Sequence, residues 1–266
     1  MNITRNLLRT GLALSLVLGI ASCRTIQYRE VQSDFERAVQ AETARDESPF
    51  VNWYLGVADT LTADYIGNLD EKLRPNAWML RGISEWRSGS YSNAYDSAAN
   101  GMQEIDRQKS TTPKLESSRD GIVLTMLPGL VQDSQLRDRL HALGANDLPA
   151  SSYETNFVPQ FKAVLRQLGE AKQKFAAPTP TAVKTYWDYQ VWRVLQNWSI
   201  TLGRLPMGEP STTLAYANVD TVISNQFSTL MGDSNVTNLT NAIQAAKEAI
   251  PADHPYRHLI ELEEKQ

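Results

Sequence analysis

The amino-acid sequence predicts an all-α fold: about ten helices in antiparallel pairs, stacked as an α-solenoid. Three observations carry that expectation. Polar residues followed by Pro recur where helices would start, at Ser48-Pro49, Arg74-Pro75-Asn76, Thr179-Pro180 and Asp253-His254-Pro255. Proline's fixed φ and missing N–H suit the first turn of a helix and little else in it. Gly89, Gly144, Gly203 and Gly232 each follow an apolar stretch, where a left-handed residue ends a helix. Between these marks the apolar residues recur at three and four, and convincing alternating strand patterns with Asn-Gly or Asp-Gly turns are missing.

Taken in order, Val31, Phe35, Ala38 and Val39 give a helix over 28–44. Ser48-Pro49 opens the next, over 49–67, and Pro75 a third over 75–88 that Gly89 closes. Helices over 91–107, 114–131 and 133–143 follow, with Asp120-Gly121 reading as helix rather than turn. A helix over 154–176 leads to Ala176-Ala177-Pro178-Thr179-Pro180, the one hinge candidate between halves. Trp187, Val191, Val194, Leu195, Trp198 and Leu202 form the apolar stripe of 180–203. Helices over 213–231, 236–250 and 254–265 complete the series. Short connections favour antiparallel neighbours.

Composition narrows the function classes. Of 266 residues, 42% are hydrophobic, which excludes disorder as the main state. A single Cys excludes a disulfide framework and the usual thiolate zinc cage. A formal charge of -4 argues against nucleic acid as a partner.

That one cysteine is the most informative residue. Arg5 and Arg9 form a basic segment, and a run from Leu12 to Ile20 follows it. The run is too short to span about 30 Å of hydrocarbon comfortably, and its flanks are those of a signal peptide. Ile20-Ala21-Ser22-Cys23 resembles the lipobox of bacterial lipoproteins. The resemblance implies cleavage before Cys23, acylation of its thiol and new amine, palmitate among the chains, and a membrane contact through that lipid. It divides the chain into a signal peptide at 1–22, a lipidated tether at 23–27 and a helical domain at 28–266. Removal of Arg5 and Arg9 with the leader makes the domain more acidic. In two-membrane bacteria an Asp after the cysteine often signals inner-membrane retention, so Arg24 leans towards the outer membrane, facing the periplasm.

Residues 77–107 carry the one repeat-like segment. Trp78 and Gly82 lie on a first helix, Gly89 and Tyr91 at a turn, and Ala94 and Gly101 on a second. This pattern resembles a tetratricopeptide repeat. Gly82 and Ala94 let two helices approach closely, and Trp78 and Tyr91 fill the volume around the contact. Arg81, Glu85 and Ala98 depart from the pattern. Ala242, Ile243, Ala246, Ala249 and Pro251 resemble a second, partial match, so the array is degenerate.

Candidate chemistry is sparse. His254 and His258 are spaced i,i+4, but Pro255 puts His254 at a helix start, and a surface pair explains them as well as a metal site. His141 reads as an ordinary helix residue. Glu47-Ser48-Pro49-Phe50 and Gly101-Met102-Gln103 resemble fragments of lytic transglycosylases, yet in that family the elements are close in sequence. The usual hydrolase motifs are absent together, so no catalytic residue, no metal and no cofactor is assigned. On the aromatic helix, Tyr189 and Trp192 lie off the Trp187–Trp198 stripe and form the candidate groove, since Tyr and Trp serve both interfaces and ligand shelves. The expectation is a non-enzymatic, lipid-anchored envelope protein that binds a protein partner as an adaptor or as a transport or assembly accessory. It is similar in architecture to the lipoproteins associated with TRAP-type transporters. The alternative is a small-ligand or glycan-binding lipoprotein, with an envelope enzyme third.

Overall fold

A computed structural model describes residues 25–42, 50–143, 157–177, 179–203 and 210–264. Cys23, Ser48-Pro49 and Gly144 fall outside the described residues. Every regular element among the described residues is helical. The fold is all-α.

Helix α1 covers 25–42 and buries Tyr28, Val31 and Ala38, one stripe of a 3.6-residue repeat. The expected helix over 49–67 is two: α2 (Phe50–Thr60) and α3 (Ala63–Gly67). Thr62 breaks them, because its backbone is extended at ψ 158 and its hydroxyl accepts from Tyr65 N at 3.1 Å. A Ser, Thr, Asp or Asn in that pose starts a new helix rather than continuing the old one. Asp70 caps the short turn Glu71–Leu73 in the same way, at 3.0 Å to Lys72 N. Then α4 (Arg74–Arg87) begins with Pro75 in its first turn.

Ser88, Gly89 and Ser90 end α4 with both bonds of a Schellman motif. Gly89 N donates to Trp86 O at 3.1 Å, and Ser90 N to Glu85 O at 2.7 Å. This needs φ +82 at Gly89, a value costly for any residue with a Cβ. The chain reverses into α5 (Tyr91–Gln108). The expected pair over 114–131 and 133–143 is instead the single helix α6 (Arg119–Leu143), preceded by the short turn Leu115–Ser117. Ser118 delays its start, with an extended backbone and its hydroxyl accepting from Gly121 N. A Cβ on Gly121 would lie 2.6 Å from the carbonyl oxygens of both Leu115 and Glu116. No break follows Val131, since the Asp133 carboxylate accepts from Arg137 one turn on, at 3.1 Å.

The remaining helices are α7 (Val158–Gln173), α8 (Thr181–Gly203), α9 (Pro210–Met231), α10 (Leu239–Glu248) and α11 (Pro255–Glu263). Gly203 is the last residue of α8, while Gly232 closes α9 at φ +74. The hinge candidate is pinned: Thr179 is buried, accepts from Ala176 N and donates to Ser117 O, both at 3.0 Å.

Helices α4, α6 and α8 touch in succession as an inner layer. Helix α5 packs against α4 and α6, α7 against α6, and α9 against α7 and α8, as an outer layer. These stacked antiparallel pairs make the solenoid. Helix α1 lies over the inner layer through Asn76, which accepts from Tyr28 Oη at 2.6 Å and Gln32 Nε2 at 3.1 Å and donates to Asp120 at 2.9 Å.

Candidate functional site

The inner layer faces a cavity of about 430 Å³. Two helix rows face each other across it. On α4 the row is Met79, Ile83, Trp86 and Arg87; on α8 it is Tyr186, Tyr189, Gln190 and Arg193. The α8 row follows i, i+3, i+4, i+7 and the α4 row i, i+4, i+7, i+8; each keeps to one helix face. Phe35 and Glu42 of α1, Tyr54 of α2 and Tyr256 of α11 close it.

The Schellman turn at Gly89 fixes the last turn of α4 and so the aim of Arg87. Its guanidinium pairs with Glu42, with Nε donating to Oε2 at 3.1 Å. The same carboxylate oxygen accepts from Tyr54 Oη at 2.7 Å. Burial first, and the charge of Arg193 second, pull Arg87 down to about 9, which leaves it a cation at neutral pH. Both guanidiniums lie near the Trp86 ring, Arg87 at 4.9 Å and Arg193 at 5.8 Å from its centroid. Burial raises the phenols of Tyr54, Tyr186 and Tyr189 above their ordinary range, so they stay neutral hydrogen-bonding groups.

On α11, His254 acts as the helix cap: its Nδ1 accepts from Tyr256 N at 3.2 Å. That cap aims Tyr256 at Tyr189, where the rings stack at 4.5 Å and 9°. His258 is exposed.

Of the two groove candidates, Tyr189 lines the cavity and Trp192 does not. Trp192 is 0% exposed, with its ring 6.2 Å behind Tyr189 and nearly parallel to it, and its Nε1 has no partner. At 100° per residue Trp192 lies about 60° from Tyr189, on the side away from Arg193, so the edge of the cavity row falls between them. Trp187 and Trp198, the stripe itself, are buried.

The repeat residues lie behind the cavity. A Cβ on Gly82 would meet Leu127 Cδ2 at 2.7 Å and Ser97 Cβ at 3.3 Å; one on Gly101 would meet Leu124 at 2.7 Å and Trp78 Cβ at 3.0 Å. Ala94 is 0% exposed and Trp78 is buried. Tyr91 is half-buried, and its hydroxyl donates to Asp138 at 2.6 Å. Glu85, one of the departures from the repeat pattern, accepts from Arg81 Nε at 2.7 Å and from Ser97 Oγ at 2.5 Å, which satisfies a buried carboxylate.

No protein-family model, curated protein or solved structure matches the chain.

Sequence reasoning overlooked Arg87, Arg193, Glu42 and Tyr256. For α8 a signal existed: Tyr186, Tyr189, Gln190 and Arg193 make a second helical row beside the apolar stripe. Glu42 and Tyr256 gave none, because only the tertiary fold brings them to that row.

Proposed function

We propose that this is a lipid-anchored binding protein of the cell envelope, tethered through Cys23 to the outer membrane and holding a small organic ligand in the inner-layer cavity. The observation that carries this reading is the cavity itself. Its volume lies within the range of pockets for small organic ligands, about 300–1,000 Å³, and its wall is aromatic and aliphatic with a few convergent polar groups. Glu42 is matched to Arg87 and Tyr54 rather than to a second carboxylate, which favours binding over acid–base chemistry. Among the described residues no helix is long and apolar enough to cross a membrane, so the lipid carries the attachment in this reading.

Mass spectrometry of the full-length protein, extracted from membranes and denatured, is expected to release a small molecule that Ile83→Trp, which fills the cavity, no longer retains. Release of the same compounds from both would end this reading. The second reading is a protein partner, favoured by the use of concave solenoid faces for extended segments. It gains if crosslinking from membranes recovers one reproducible partner through Tyr256 and no small molecule is released. Labelling with a palmitate analogue tests the tether: incorporation should vanish in Cys23→Ser.

A further inference from the structure

Arg87 and Arg193 share a wall of the cavity but not a counter-ion. Arg87 is matched to Glu42. Arg193, on α8, makes no ion pair and no hydrogen bond among the described residues; its one contact of that kind is with the Trp86 ring. Other carboxylates are engaged or peripheral. Asp133 of α6 is bonded to Arg137 and Trp198 Nε1 and is buried within the field of Arg193 without contacting it, Asp120 is held by Asn76 and Arg119, and Glu36 and Glu263 are exposed at the rim. The lining contains no lysine.

We propose that the cavity selects a small organic monocarboxylate with a flat apolar body, the carboxylate seated on Arg193 and the body against Tyr186, Tyr189 and Ile83. This rests on the small-ligand reading above. A guanidinium with one face on an indole keeps its edge N–H groups free, and that planar fork matches a carboxylate's two oxygens. Arg193 is the one lining cation without a direct counter-ion among the described residues, so a monoanion fits better than a dianion. Arg87 is neutralised by Glu42, so the field at this wall is that of Arg193, offset in part by the buried Asp133. An ammonium ligand would meet that same field as a penalty. Tyr186 and Tyr189 stay neutral, and Tyr189, its face stacked on Tyr256, offers its edge to a planar body.

Calorimetry on the full-length lipidated protein in nanodiscs, with indole-3-acetate, its neutral amide and tryptamine, tests this. Indole-3-acetate is expected to bind at least about tenfold more tightly than the amide, the worth of one charge-assisted contact, and tryptamine least. Arg193→Gln should bring the acetate-to-amide ratio to about one while keeping amide binding, which also shows that the variant folds. Arg193→Lys, which keeps the charge without the fork, should keep part of the preference. Equal affinity for acetate and amide in the parent protein, or a preference that survives Arg193→Gln, would overturn the anion assignment and leave the small-ligand reading intact. If neither these probes nor the neutral N-phenyl-1-naphthylamine binds, both fall.

Discussion

Helices α4 and α8 occupy equivalent places in the inner layer and are packed by opposite means. Behind α4 the neighbours come close because side chains are missing: Gly82, Ala94 and Gly101 leave room for Leu127, Leu124 and Trp78. Behind α8 the space is filled. Trp198 stacks on Phe161 at 4.1 Å and donates to Asp133 at 2.9 Å, and Trp187 donates to Leu168 O at 2.9 Å. The contrast teaches that one architecture tolerates either solution, with the buried carboxylates Glu85 and Asp133 matched in both. Where matching fails, as at Trp192 Nε1, the side chain contributes volume without a bond.

The comparison can be broken at several points. Trp78→Ala on α4 should cost most, about 3–5 kcal/mol in urea denaturation, and an unchanged midpoint would remove Trp78 from the core of the pair. On α8, Trp198→Phe should cost about 3 kcal/mol, since it strips a hydrogen bond from a buried carboxylate as well as volume. Trp192→Phe should cost only about 1 kcal/mol, because the N–H it removes is already unmatched. Equal losses at the two tryptophans would show that volume alone decides. Gly82→Ala sets overpacking of about 1–3 kcal/mol against a helix-propensity gain of about 1 kcal/mol; a net loss is expected, and a raised midpoint would show that Leu127 moves freely.

A pH-dependent effect concerns Asp188 on α8. Burial raises its carboxyl to about 6, against a weaker opposing pull from Lys172. Between the ordinary Asp value and about 6 the unfolded chain holds fewer protons at this site than the folded one, so stability contributed here falls as pH rises through that window. Asp188→Asn should flatten the slope and raise the midpoint at pH 7.5. A slope that is unchanged assigns the window to another group.

Legibility followed the same divide. The pair α4–α5 was readable because Gly82, Gly89 and Ala94 encode close approach and reversal locally, and the stripe of α8 because period 3.6 needs no knowledge of neighbours. The split at Thr62 was readable in principle as an N-cap but was masked by the surrounding apolar spacing. The single α6 was readable in principle from the i,i+4 pair Asp133–Arg137 but was masked by the polar run after Val131. Within the cavity Tyr189 emerged from the sequence. The pairing of Arg87 with Glu42 did not, because charge matching between α1 and α4 leaves no mark on either segment.

The cavity wall joins α1 to α11, the first and last helices described. Its walls therefore meet only when the whole solenoid is closed, and a half-folded chain has nowhere to put a ligand. Occupancy is thus coupled to completion of folding: an occupant at a hundred times its dissociation constant would favour the closed chain by about 2.7 kcal/mol. An empty copy and an occupied one would then differ in thermal midpoint by what each had captured.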